Sequence, residues 1–173
     1  MTTLKGKNFI LRPLKRGDAK ALAKNGNNKE VYRNTLRIPY PYTLEEARKW
    51  IEKNIRENKK KERKMINFAI DIDGELAGMV GLSGIEKEHK AELGYWLGED
   101  YRGRGIVTEA IKLTERHGFK DLKLKRVQAH VFSFNKASVR VLEKNNYKLE
   151  GLLRKDVKKD GKYIDVYAYS KVR

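Results

Sequence analysis

Apolar positions along this chain change their spacing several times, and each change predicts a new element. The first run, NFILRPL at 8–14, is short, apolar and closed by proline, which predicts a strand. In GDAKALAKNGN the apolar residues Ala19, Leu22 and Ala23 share one side at helical spacing, with Asp18 placed as an N-cap. After the turn-rich RIPYPYT, Thr43 and Glu46 stand at capping-box spacing ahead of Ala47, Trp50, Ile51 and Ile55, predicting a second helix. The period then drops to two. NFAIDID and ELAGMVGLSGI flank Asp73-Gly74, a hairpin signal because both turn positions need positive φ. KAELGYWLG at 90–98 reads as the third strand of this meander, with Gly94 predicting a bulge or a close backbone approach.

Helical spacing returns in TEAIKLTERHGFKDL, where Val107, Ala110, Ile111 and Thr114 share a side. KRVQAHVFSF at 125–134 alternates through Val127, Ala129 and Val131 as a strand. NKASVRVLEKNNYKLEG predicts a short helix with Val141 and Leu142 inward, ending at an Asn145-Asn146 C-cap. Two last strand candidates flank Asp160-Gly161. The order is strand, two helices, three-strand meander, helix, strand, helix, hairpin. It predicts a mixed α/β (α+β) fold, a central sheet flanked by helices. No linker, repeat or low-complexity block interrupts the 173 residues, so 1–173 reads as one domain.

Composition narrows the chemistry. There is no cysteine, which excludes disulfides, thiolate metal sites and any cysteine-bound intermediate. His89, His117 and His130 lack a metal-ligand spacing, so no metal is expected. No run approaches the roughly 18 apolar residues of a membrane span, and the N-terminus lacks a secretory core; a cytoplasmic protein without membrane contact is expected. The formal net charge of +17 favours polyanionic partners: nucleic acid, a ribosome or a phosphorylated cofactor. Its basic runs, NKKKERK (58–64), KDLKLKR (120–126) and KDVKKDGK (155–162), are spread along the chain, and each taken alone reads as a solvated face.

One loop stands apart. YRGRGIVTEA at 101–110 sets two glycines and two arginines ahead of a helix. A Walker loop would need lysine after Gly105, a dinucleotide loop would need glycine at Thr108, and an arginine-glycine arm would not run into an amphipathic helix. Two readings remain: a strand-to-helix turn that needs glycine for tightness, or a cradle whose amides and helix N-terminus face an anion, with Arg102 and Arg104 adding charge. A helix end favours a nearby anion by about 0.3–1 kcal/mol.

This loop resembles the (Arg/Gln)xxGx(Gly/Ala) signature of the GNAT superfamily of N-acetyltransferases, carried by Arg102, Gly103, Arg104, Gly105 and Ile106, with Val107 departing at the last position. KGKNFILRPLKRGDAKAL, ELGYWLGEDYRGRGIVTEAIKL and NKASVRVLEKNNYKLEGLLR extend the resemblance along nearly the whole chain, toward the branch acetylating ribosomal-protein N-termini. The resemblance implies a mostly antiparallel sheet with strands splayed at an acetyl-CoA site. The diphosphate would rest on amides from Gly103 to Thr108 and the pantetheine arm near Trp96 and Leu97. Asn135 and Ser138 would meet the pantetheine and the thioester. Otherwise Trp96 and Leu97 are core, and Asn135 is a cap.

Acetyl transfer to an amine needs a neutral nucleophile, a polarised carbonyl and a proton for the thiolate. Neutralising lysine at pH 7 costs about 4.6 kcal/mol and an α-amine only about 1–1.4 kcal/mol, so an α-amine asks for the weaker base. Glu92 is the first candidate base, direct or through water, and His130 the second. Ser138 is a candidate donor to the thiolate, or a helix cap. Tyr40, Tyr42, Tyr167 and Tyr169 are candidates for lining the acceptor groove, or for the core. The expected activity is acetylation of a protein α-amino terminus, a ribosomal protein's for instance, by a monomer or homodimer that can associate with ribosomes. The alternatives are acetylation of a polyamine or antibiotic, and a basic RNA- or ribosome-binding protein without activity.

Overall fold

The computed structural model describes residues 2–173. In chain order these form β1 (Leu4–Lys5), β2 (Ile10–Pro13), α1 (Ala19–Gly26), α2 (Lys29–Asn34), α3 (Leu44–Asn58), β3 (Met65–Ile72), β4 (Glu75–Ser83), β5 (Lys90–Leu97), α4 (Ile106–Lys120), β6 (Arg126–Phe132), α5 (Lys136–Lys144), β7 (Lys148–Lys159) and β8 (Lys162–Val172). The eight strands make one sheet in the order β1-β2-β3-β4-β5-β6-β8-β7. Every neighbouring pair is antiparallel except β5 and β6.

Alternation along the strands feeds two cores. Leu93 and Leu97 of β5 and Val127, Ala129 and Val131 of β6 pack with Ile106, Ala110 and Ile111 of α4 and Leu142 of α5. On the opposite face Ala69, Leu76 and Met79 meet Leu22 of α1 and Ala47 and Ile51 of α3. Because side chains alternate across a strand, the even-numbered residues of β5 and β6 turn to the α1–α3 face and the odd-numbered ones to the α4–α5 face.

The mixed, mostly antiparallel fold is the one expected from the sequence, with differences in detail. Both Asp-Gly turns have two positive φ values: 53° and 88° at Asp73-Gly74, 51° and 74° at Asp160-Gly161. Thr43 caps α3 by accepting from the Glu46 amide at 3.2 Å. The pattern did not separate α2, which is too short to show a period; Asn28 caps it, accepting from the amides of Glu30 and Val31. Asp18 does not cap α1. Its carboxylate is held by both terminal nitrogens of Arg12, each at 2.8 Å, and by the Lys15 amide at 2.8 Å, a stronger demand than a cap. Gly94 causes no bulge either: it pairs with Gly81 in unbroken register, and the irregularity lies between Ile70 and Asp71 of β3.

Candidate active site

The parallel pair is short. Lys90, Ala91 and Glu92 pair with Arg126, Val127 and Gln128, and beyond them the strands diverge. Leu93–Leu97 is thus left without a strand partner on the edge facing β6, although its other edge pairs with β4 as far as Gly78. At the end of β5 the chain turns through a single 3-10 turn into the glycine loop. Gly103 and Gly105 have φ of 77° and 74°, the left-handed region that glycine occupies without strain, and Gly105 is the N-cap of α4.

The loop's main chain is open. From Gly103 to Thr108 no amide donates to an acceptor among the described residues; the first to do so is Glu109, to the Gly105 carbonyl at 3.1 Å. Six successive donors at a helix N-terminus match the chemistry of a diphosphate. A Cβ built on Gly103 or Gly105 would meet nothing within 4 Å, so space as well as conformation is kept clear there. Beside the loop a groove of about 540 Å³ runs between α4 and α5, lined by Gly105, Thr108, Glu109, Lys112, Arg116 and Lys144, three cations against one carboxylate. The arginines of the loop point elsewhere. Arg102 pairs with Glu30 of α2 and donates from Nε to the Leu97 carbonyl at 3.2 Å, and Arg104 donates to the Asp100 carbonyl at 3.0 Å. They fix the loop against the end of β5 and against α2.

The catalytic candidates gather at the splay, on its two faces. Glu92 and His130 turn to the α1–α3 face, with Oε1 and Nδ1 3.2 Å apart and the side chains 44% and 34% exposed. On the α4–α5 face the hydroxyl of Ser138 lies 2.6 Å from that of Tyr95. Asn135 caps α5, its Oδ1 accepting from the Ser138 amide at 3.1 Å, which sets the serine at the helix start. Burial pushes the Tyr95 phenol up to about 12, against the opposing bond from Ser138. Tyr95 had no part in the sequence reading, although its place between Leu93 and Leu97 aims it at the α5 face.

Trp96 and Leu97 send their side chains to the two cores, one to each face, so it is their main chain that borders the splay. The four tyrosines do not share a groove. Tyr42 is buried under α1 against Gly26, where burial pushes its phenol up to about 12, and Tyr169 is buried on the opposite face. Tyr167 is half-buried, edge-on to Tyr169 with ring centroids 6.4 Å apart. Tyr40 is exposed and lies 6.0 Å from the ring of Tyr32.

That last pair belongs to an aromatic and basic cluster the sequence did not reveal. Phe132, on the same face of β6 as His130, packs on Phe134, over which Arg33 of α2 sits at 5.1 Å. Tyr32 donates to Asp160 at 2.5 Å, while Lys159 covers its ring at 3.8 Å and donates to the carbonyls of Tyr32 and Thr35. Burial holds the Lys159 ammonium below its ordinary range.

This arrangement has known counterparts. Residues 8–148 match the acetyltransferase (GNAT) domain, and the chain belongs to that family. A probable N-acetyltransferase, YjcK of Bacillus subtilis (strain 168), is 35% identical over 94% of this chain and 92% of its own. Two enzymes of Escherichia coli (strain K12) are each 30% identical: spermidine N(1)-acetyltransferase, over 88% of this chain and 80% of its own, and ribosomal-protein-serine acetyltransferase, over 84% and 81%. Among solved structures, the microcin C7 self-immunity acetyltransferase MccE in complex with acetyl-CoA and AMP superposes with a TM-score of 0.85 at 26% identity, over 97% of this chain and 94% of that one. The protein is therefore an N-acetyltransferase with acetyl-CoA as donor. Among the described residues no group of three or more His, Asp or Glu could hold a metal, and no helix is long and apolar enough to cross a membrane.

Proposed function

We propose that the chain transfers acetyl directly to the N-terminal α-amine of a protein, a ribosomal protein in particular. The observation that carries this reading is the division of the splay: a proton acceptor on one face, a hydroxyl donor on the other, and free main chain between them. The amides of Gly103 to Thr108 and the cations of the α4–α5 groove would hold the phosphates of acetyl-CoA, whose thioester supplies the activated acetyl group. Glu92 and His130 offer the amine's proton a carboxylate and an imidazole within one hydrogen bond of each other. Both are partly exposed, and an α-amine needs only about 1–1.4 kcal/mol to lose its proton at pH 7. Across the splay, Ser138 holds a proton at Oγ for the thiolate that leaves.

Relatives acting on spermidine and on a ribosomal protein are equally similar, so identity does not choose between them. The aromatic and basic cluster does. Its cations, Arg33 over Phe134 and Lys159 over Tyr32, outnumber the single carboxylate of Asp160 there and disfavour the entry of a second and third ammonium. A chain terminus brings a single ammonium and peptide groups, for which an aromatic cluster is no obstacle. The test is acetyl-CoA binding by calorimetry, followed by kinetics on peptides with free α-amines, N-blocked peptides carrying lysine, and spermidine. The free α-amine is expected to give the highest kcat/KM, and preference for spermidine or blocked lysine peptides overturns the reading.

A further inference from the structure

Two of the three basic runs, more than fifty residues apart in sequence, are brought to one place by the fold. The segment 57–64 leads from α3 into β3, and 120–125 leads from α4 into β6; both therefore lie at the end of the sheet where β5 and β6 are still paired. Between them is the β4–β5 turn, 86–90. Main-chain hydrogen bonds join the segments: the Ile85 amide donates to Lys64 at 3.1 Å, Lys125 to His89 at 2.7 Å and Arg173 to Lys125 at 3.0 Å. Together the three segments and Arg173 hold eleven Lys or Arg against five Asp or Glu. Only Lys60 and Lys90 of the eleven have a carboxylate partner among the described residues. Nine of the eleven are exposed; Arg63 and Lys90 are partly buried.

We infer that this closed end of the sheet is a docking surface for structured RNA, held through its phosphate backbone. Cations on several joined segments, most of them exposed and unpaired, suit a phosphate ladder, which gives up its condensed counterions on binding. The segments contain no Phe, Tyr or Trp on which unpaired bases could stack, which points to a duplex rather than a single strand. They also expose no large hydrophobic side chain to enter a lipid interface. The third run, around Asp160-Gly161, lies at the opposite end of the sheet, with Asp156 and Asp160 among its lysines and Lys159 turned inward onto Tyr32. At about 3.4 Å per residue, β5 puts roughly 24 Å between the basic end and the end of the splay. RNA on the basic end leaves the glycine loop at the far end of β5 free, and an enzyme held on RNA meets nearby protein termini at raised effective concentration.

The choice of RNA over DNA rests on the ribosomal acceptor proposed above; the fit to a phosphate ladder does not. The test is the fluorescence anisotropy of a short labelled RNA duplex titrated with the full chain across a range of KCl. Binding is expected to weaken steeply with salt, log Kd rising by about 0.9 per phosphate neutralised for each unit of log salt. The variant Lys61→Glu/Lys87→Glu/Lys123→Glu/Lys125→Glu is expected to lose at least about tenfold in affinity, with a shallower salt slope, while acetylating a short free peptide as the parent does. That retained activity shows the variant is folded. Lys155→Glu/Lys158→Glu/Lys162→Glu, with nearly the same charge change at the other end, is expected to keep most of the affinity. Equal losses from both variants, or none from the first, overturn the assignment. So does tighter binding to a DNA duplex of the same sequence, or to phosphatidylserine vesicles. A parent that binds RNA but acetylates no α-amine peptide refutes the acceptor and leaves the surface standing.

Discussion

The two ends of the β5–β6 pair are made of the same two strands and do opposite things. At one end three residues of each strand are in register, Arg126 is clamped to Glu150, and the flanking segments are tied by main-chain bonds. At the other end the strands part, six amides are left without acceptors, and a carboxylate–imidazole pair faces the opening. The cause is topological. An antiparallel pair can be joined by a tight hairpin, but a parallel pair needs a crossover, here α4, whose N-terminus arrives at the C-terminal end of β5. The only parallel pair among the described strands thus sets a helix N-terminus beside free strand edges, as at the switch points where open sheets bind ligands. Pairing builds the closed end and its absence builds the site.

The sharpest way to break this contrast is at the loop. Gly105→Glu puts a carboxylate beside six main-chain donors that have no acceptor among the described residues, and acetyl-CoA binding is expected to disappear from calorimetry. Gly105→Ala is the control. It has room for its Cβ but pays for φ of 74°, about 1–2 kcal/mol of stability, with binding retained. Unchanged affinity in the glutamate variant would remove the loop from the site. Next in size is Glu92→Gln, expected to lower kcat/KM about 100-fold near pH 6, with the loss shrinking as the α-amine deprotonates unaided above its pKa of about 7.7–8.0. A loss that is the same at every pH would exclude Glu92 as the base.

The same contrast explains what could be read from the sequence. Hairpin turns and strand alternation are local, so the meander, the closing hairpin and the helices α3, α4 and α5 were all legible. So were Glu92 and His130 as candidates, although only the short register of β5 on β6 brings them to 3.2 Å. What could not be read depends on pairs far apart in the chain: Asp18 taken by Arg12, Arg102 by Glu30, Lys159 by Tyr32, and two lysine runs meeting at one end. Each run looks like a solvated face by itself. Their meeting is decided by β3 and β6 both starting at the same end of the sheet, with β4 and β5 between them.

Tyr95 tests how the far face of the splay is organised. A buried phenol that stays protonated can donate to Ser138 Oγ and leave the serine hydrogen free to point into the opening. Tyr95→Phe removes one hydrogen bond of about 1 kcal/mol and is expected to lower kcat about fivefold with KM for acetyl-CoA unchanged. In a cycle with Ser138→Ala the two losses should overlap instead of adding. Additive losses would mean that Tyr95 acts only through packing.

The smallest expected effect belongs to the closed end, and its sign is fixed by the pair that clamps it. Glu150 accepts from Arg126 at 2.7 Å and from the Ser170 hydroxyl at 2.6 Å, which hold its carboxyl down to about 2 from the ordinary 4.5. A carboxylate with a depressed pKa stabilises the fold fully above its unfolded value and progressively less as pH falls through its folded one. Arg126→Met removes the larger of the two causes. The variant should therefore melt slightly below the parent at pH 6, and the gap should close between pH 4.5 and 2 as the parent's own Glu150 takes up its proton. The pair is exposed, so salt should narrow the gap at pH 6 as well. Acetyl-CoA affinity should not change in this variant, because Arg126 stands in the first register pair and the two that follow, Ala91–Val127 and Glu92–Gln128, separate it from the splay. A change in affinity as large as the change in melting would show that the two ends are one cooperative unit, and that pairing at the closed end sets the width of the opening.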